Sequence, residues 1–225
     1  MHPFLYYSEH GEVIMKLDYQ KAIDYIEQIY SAQDEPKMLD YICRVSRNDF
    51  GPTIEDDIAR LFKVLIHLTK PKRILEIGTS IGFSTTSMAL AAKNYGGKIT
   101  TLEIDESWAE IAKQIFRREG VSDSIEVVTG DAQDLLPTFP DESFDIVFQD
   151  SSKIHYPVML KDCLRVLKKG GLFLVDDSLF PVLRNEEDWS DSDAKIHEFN
   201  KALLDFSVKS TILPIGDGCT VAVKI

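Results

Sequence analysis

Apolar positions follow two different rhythms along this chain. Between Tyr19 and Leu68 they recur at helical spacing, as in Ile23, Ile26, Ile29 and Tyr30, and again in Ile58, Leu61, Phe62 and Leu65. After Lys72 the rhythm changes. Short, dense apolar runs at 73–78, 98–104, 125–130, 144–150 and 171–176 read as buried strands, and amphipathic stretches near 83–93, 106–119, 154–168 and 193–206 read as helices. Alternation of that kind implies a parallel sheet covered by helices on both faces. The ending departs from it: 210–216 and 219–225 are two β-rich runs parted only by Asp217 and Gly218. So short a link cannot make a parallel crossover, and the last strand must run antiparallel to its neighbour. The pattern predicts an α/β fold, a doubly wound seven-stranded sheet, mostly parallel with an antiparallel C-terminal strand, preceded by a helical N-terminal cap. One domain is expected over 1–225, with the cap over 1–68 and the core over 69–225.

Composition narrows the picture. A chain of 225 residues can bury a substantial core in one domain. Its net charge of −12 disfavours attraction to phosphate backbones, because nucleic-acid affinity draws on Lys and Arg neutralising phosphates. The basic groups Lys70 to Arg73, Arg117-Arg118 and Lys168-Lys169 read as solvated turns and helix ends. Cys43, Cys163 and Cys219 are far apart and form no C-x-x-C pair, which argues against a disulfide framework and a thiolate zinc site. The first residues lack a basic segment followed by a continuous apolar stretch, and no apolar run approaches membrane-spanning length. A cytoplasmic protein with no membrane association is expected. His67, His155 and His197 show no mutual spacing of a ligand set and read as ordinary helix residues.

The junction Arg73-Ile74-Leu75-Glu76-Ile77-Gly78-Thr79-Ser80-Ile81-Gly82-Phe83-Ser84 carries the first chemical signal: a buried strand breaks into a glycine-bearing loop that leads into a helix. Gly78 and Gly82 allow unusual backbone angles and close approach of a ligand, and the helix start offers free N–H groups. The spacing is not G-x-G-x-x-G, and Glu76 lies just before the first glycine. A carboxylate there suits a positively charged ligand, such as the sulfonium and amino groups of S-adenosylmethionine, better than a pyrophosphate. No G-x-x-x-x-G-K-[ST] string occurs. Near the end of the next strand, Glu103 could accept hydrogen bonds from both hydroxyls of a ribose, and the run Thr129-Gly130-Asp131-Ala132 puts an acid where an adenine amine could be read. Asp131 could equally cap the following turn.

A second constellation lies at the next two strand ends, Phe148-Gln149-Asp150-Ser151-Ser152-Lys153 and Leu174-Val175-Asp176-Asp177-Ser178. If those strands are neighbours, three carboxylates converge. Such clustering is electrostatically costly without protons or a cation, and all-oxygen ligation selects a hard divalent ion such as Mg²⁺, Mn²⁺ or Ca²⁺. The alternative is that Asp150 caps a helix and Asp176-Asp177 form a turn.

Over about residues 50 to 225 the chain resembles the cation-dependent O-methyltransferase family that includes catechol and caffeoyl-coenzyme A O-methyltransferases. The strings that carry the resemblance are Leu75-Glu76-Ile77-Gly78-Thr79, Ile81-Gly82-Phe83-Ser84, Gly130-Asp131-Ala132, Phe144-Asp145-Ile146-Val147-Phe148, Gly170-Gly171, Asp176 and Leu213-Pro214-Ile215-Gly216-Asp217-Gly218. The resemblance implies methyl transfer from S-adenosylmethionine to a hydroxyl of a small, catechol-like acceptor. It implies that Asp150, Asp176 and Asp177 hold the metal and that Lys153 takes the acceptor's proton, provided desolvation depresses its pKa. For the methyl donor it implies Glu103 at the ribose, Asp131 with Ala132 at the adenine, Ser84 and the Gly78-Thr79 loop at the methionine end and Thr53 at its carboxylate, with Glu76, Ile104 and Asp150 also among the donor-binding residues. A homodimer built partly with the N-terminal helices is implied as well.

Three positions depart from the family's pattern. Asp177 stands where the family usually has Asn, Ser152 replaces a frequent second acid, and Phe180 replaces a usual Trp. A more anionic cage should hold a cation tightly but leave it a weaker Lewis acid. Ser152 and Phe180 both bear on the acceptor pocket. Alternatives are a tRNA hydroxyuridine methyltransferase of the same family, which would need a basic face, a methyltransferase without metal, and a cofactor-binding regulatory module.

Overall fold

The computed structural model describes residues 18–30, 32, 36–43 and 53–225, together with the backbone of 5–7 and 13–16. The chain groups into two compact units, Met1–Glu35 and Pro36–Ile225. In the smaller unit, strand β1 (Leu5–Tyr7) pairs antiparallel with β2 (Val13–Lys16), and helix α1 (Tyr19–Tyr30) follows. The helical rhythm runs from Tyr19 to Leu68, and the expected helical cap over 1–68 contains no strand pair. Strands of three and four residues are too short for a period of two to register, so this pair was hidden.

The larger unit begins with α2 (Met38–Ile42) and α3 (Asp56–Thr69). Asp56 and Asp57 complement the N-terminus of α3, and Lys70 ends it in the left-handed region at φ 51, just before Pro71. Strands and helices then alternate: β3 (Arg73–Ile77), α4 (Phe83–Ala92), β4 (Lys98–Glu103), α5 (Glu106–Arg118), β5 (Ile125–Thr129), α6 (Ala132–Leu135), β6 (Phe144–Gln149), α7 (Tyr156–Val166), β7 (Leu167–Val175) and α8 (Asp191–Ala202). The hairpin β8 (Val208–Leu213) and β9 (Cys219–Lys224) closes the fold.

The larger unit contains a seven-stranded sheet in the order β5-β4-β3-β6-β7-β9-β8. Its first five strands run parallel, and β9 lies antiparallel between β7 and β8. Alternate residues of the central strands feed two separate cores. Ile74, Ile99, Ile146, Phe148, Leu172 and Leu174 pack with Ile58, Phe62, Phe83 and Phe116 of α3, α4 and α5. Leu75, Leu102, Val147, Phe173 and Val175 pack with Tyr156, Leu160, Ile196 and Phe199 of α7 and α8. Both faces are apolar, which is why these strands read as continuous runs.

Two boundaries differ from the apolar pattern. Strand β7 starts at Leu167, earlier than 171, and its pairing with β6 shifts register between Phe144 and Ile146. Helix α8 starts at Asp191 because Ser190 and Asp193 form a reciprocal capping box, which the surrounding run of acids disguised.

Candidate active site

From β3 the chain builds outward through β4 to β5, then returns to place β6 and β7 on the other side of β3. Such a reversal leaves a crevice beyond the carboxyl ends of the strands. A cavity of about 480 Å³ lies there, within the range of small-ligand pockets. Gly78 leaves β3 at φ +99, and a Cβ on it would run into the carbonyl oxygen of Asp150 at the end of β6. Glycine is what lets these two strand ends close on each other.

On the β3 to β5 side the cavity is lined by Gly78, Ser80, Glu103, Ile104, Asp131 and Ala132. Glu103 is held by the loop itself. Its Oε2 accepts from the amides of Thr79 at 3.1 Å and Ser80 at 2.8 Å, and its Oε1 from the amide of Asp105 at 3.0 Å. Asp131 both lines the cavity and caps α6, accepting from the amide of Gln133 at 2.8 Å.

Other expected donor-site residues lie behind this wall. Glu76 is fully buried and does not line the cavity. Period-two geometry puts it on the Ile74 face, toward α4, where the Ser84 hydroxyl donates to Oε1 at 2.6 Å and the Thr85 hydroxyl donates to Oε2. Burial pushes the Glu76 carboxyl up to about 7, against the lowering effect of those hydroxyls. Thr79 is also buried, its hydroxyl 2.6 Å from that of Thr101. Thr53 is half-buried and is not part of the cavity wall, while Gly51 and Pro52 lie outside the described residues.

The β6 and β7 ends, adjacent in the sheet, bring Asp150, Asp176 and Asp177 together. Each offers a carboxylate oxygen within 4.8 Å of the others. Asp177 reaches this position at φ 60, a conformation that Asp and Asn tolerate better than most residues. Asp176 is 4% exposed, and its Oδ1 is buried without a hydrogen-bond partner among the described residues. Burial first, then the charges of Asp150, Asp177 and Glu55, push the Asp176 carboxyl up to about 9. Asp177 rises to about 6, burial outweighing the opposing charge of Lys153. An orphaned carboxylate oxygen beside two more carboxylates is a donor set that fits a hard divalent ion.

Lys153 lies among these groups. Its Nζ is 3.0 Å from Asp150 Oδ1 and forms an ion pair with Asp177. The expectation of a lysine with a depressed pKa is corrected here. Burial does work against its charge, but Asp150, Tyr156 and Asp177 together hold Lys153 above the ordinary lysine range.

Several residues escaped the sequence reading. His155, read as an ordinary helix residue, sits in the turn Lys153–His155 before α7 and lines the cavity. Ser80, Trp108, Gln133, Met159 and Ser192 line it as well. Glu55, at the head of α3, has its carboxyl pushed up to about 7 by burial and by Asp217, Asp57 and Asp177. No spacing in the sequence marks these positions; they are assembled by packing.

The O-methyltransferase family model matches residues 28–225. The chain belongs to the O-methyltransferase family. Among relatives, the catechol O-methyltransferase of Mycobacterium tuberculosis is 40% identical over 106 residues, which is 47% of this chain and 48% of that one. Among solved structures, the O-methyltransferase TomG of Streptomyces achromogenes, in complex with S-adenosylmethionine, superposes with TM-score 0.69 at 26% identity over 94% of this chain and 92% of that one. The O-methyltransferase of Bacillus cereus, in complex with S-adenosylhomocysteine, gives TM-score 0.69 at 25% identity over 95% and 94%. In this O-methyltransferase, the cavity lies at the carboxyl ends of β3, β4, β5 and β6, and its Asp150 belongs to the aspartate cluster.

Proposed function

We propose that this O-methyltransferase moves the methyl group of S-adenosylmethionine to one hydroxyl of a vicinal pair on a small aromatic acceptor, with a divalent cation held by Asp150, Asp176 and Asp177. The observation that carries the reading is the trio of carboxylates with oxygens within 4.8 Å of one another, one of them with a buried oxygen that has no partner among the described residues. Carboxylates so close in a desolvated setting need protons or a hard cation to coexist. Bound there, the cation supplies Lewis acidity toward a hydroxyl and the sulfonium supplies the methyl group.

The chain's own residues position the reactants. Glu103 keeps lone pairs for ribose hydroxyls beyond its three amide hydrogen bonds. Asp131 and Ala132, on the same wall, suit the edge of an adenine, and Gly78 admits the methionine end close to the backbone. Lys153, on the cavity wall beside Asp150, is held as an ammonium by Asp150 and Asp177 and would take the acceptor's proton only in its uncharged form, released from those carboxylates. Holding donor and acceptor in line is the largest part of the work. The bound donor and product of the two structural relatives support the donor assignment, and the tuberculosis relative supports the acceptor class.

The test is a methyl-transfer assay on phenolic acceptors with Mg²⁺ and with excess chelator. Vicinal diols should be methylated with the ion and not without it. Turnover that survives in chelator removes the cation from the scheme. Equal turnover of acceptors with a single hydroxyl removes the vicinal requirement.

A further inference from the structure

Lys153 and a divalent cation would draw on the same oxygens. The Nζ of Lys153 donates to Asp150 Oδ1 at 3.0 Å and is ion-paired with Asp177, and the three side chains are only 11%, 15% and 13% exposed. The ring centroids of Tyr156 and Phe180 lie 5.8 and 5.9 Å from the ammonium. The lysine is therefore the internal counter-ion of two of the three carboxylates, while Asp176 Oδ1 is left with no partner among the described residues. Like charges separated by a few ångströms in so dry a pocket repel strongly, and each oxygen lone pair given to the ammonium is one withheld from an ion.

Resting on the cation reading above, we infer that Lys153 is a counter-ion that leaves the carboxylates when a divalent cation takes them. The cation and the lysine then exclude each other from Asp150 and Asp177. The space open to the displaced side chain is the cavity it already lines, so loading of the cation and presentation of Lys153 to the acceptor become one event. Asp177 has a double part in this. It is a member of the cluster and the anchor that parks the lysine beforehand, which an uncharged amide at that position would do more weakly.

The experiment is calorimetric titration of Mn²⁺ into the full chain and into Lys153→Met and Lys153→Arg. Met keeps most of the stem and removes the charge; Arg keeps the charge. Lys153→Met should bind Mn²⁺ at least about tenfold more tightly than the native chain, and Lys153→Arg no more tightly. In thermal unfolding Lys153→Met should melt lower than the native chain without metal and gain more from saturating Mn²⁺. Equal or weaker Mn²⁺ binding by a folded Lys153→Met overturns the exchange and leaves the cation site standing. Absence of Mn²⁺ binding by all three overturns both. The native chain supplies an arm independent of Lys153→Met folding: the side-chain ¹⁵Nζ resonance of Lys153, assigned with Lys153→Arg, should move on adding Mg²⁺. An unmoved signal under saturating Mg²⁺ contradicts the exchange.

Discussion

On the β3 to β5 side of the cavity, carboxylates are met by protein donors. Glu103 takes three backbone amides, Glu76 two hydroxyls and Asp131 the amide of its own helix. On the β6 to β7 side two of the three aspartates share one lysine, and Asp176 Oδ1 has no partner among the described residues. On the first side folding has already aimed the donors at Glu103 and Asp131, and only the buried Glu76 keeps a cost on ionisation that its two hydroxyls do not cancel. The second is left charged and under-satisfied, an arrangement that becomes favourable when something positive arrives. The donor half should therefore behave as a rigid receptor, and the aspartate half as a site whose stability and chemistry depend on an ion.

The strongest way to break this comparison is Asp150→Ala. It removes one cluster carboxylate and half of the anchorage of Lys153, and turnover should fall at least about a thousandfold while the fold persists. Activity within about tenfold of native would show that the cluster does not carry the chemistry. Gly78→Ala tests the seam between the halves. With φ +99 and the Asp150 carbonyl in the path of a Cβ, it should lower stability by about 4 kcal/mol, read by urea unfolding. A loss below about 1 kcal/mol would mean that the strand ends are free to part.

Glu76→Gln tests the one carboxyl of the donor half whose ionisation the fold opposes. Its folded-state pKa, about 7 against an ordinary 4.5, is raised, so its contribution is whole below about pH 4.5 and is lost as pH rises through 7. The native chain should therefore lose up to about 3 kcal/mol relative to Glu76→Gln between pH 5 and 8, since Gln cannot ionise. Parallel stability curves for the two proteins over that range would show that the buried carboxyl is already ionised at pH 5.

Much of this division is written in the sequence, but unevenly. Dense apolar runs such as Ile146-Val147-Phe148 mark strands because both sheet faces are buried, and acids placed directly after such runs, Asp150 and Asp176, mark strand ends where a ligand can reach. The orientation of Glu76 was within reach of the same reasoning. A strand residue two positions after Ile74 shares its face, so a carboxylate there meets the helix after the loop and not the cavity. What could not be read needs contacts between distant segments. The spacing of Asp150 and Lys153 suggests that pair, whereas the Lys153–Asp177 contact exists only because β6 and β7 are adjacent. Glu55 shifts the Asp176 carboxyl from an element far away in sequence. The β1–β2 pair was lost for want of length, and the start of α8 because Ser190 and Asp193 sit in a run of acids where any residue could be the cap.

Glu103→Gln is the finest cut between the halves. The exchange is nearly isosteric, but one oxygen becomes an amide nitrogen facing the backbone N–H of Asp105, or those of Thr79 and Ser80, so a donor is set against a donor. The loop loses part of its fixation and the ribose loses a charged acceptor, each an effect of a lost hydrogen bond to an ionised group. Affinity for S-adenosylhomocysteine, measured by calorimetry, should fall about thirtyfold. Mn²⁺ affinity should stay native, because among the described residues Glu103 bonds to the amides of Thr79, Ser80 and Asp105 and to no member of the aspartate cluster, and sites without shared partners respond independently. If Mn²⁺ binding weakens in step with the donor, the finished half and the ion-dependent half are one coupled site, and the contrast between them is a matter of degree.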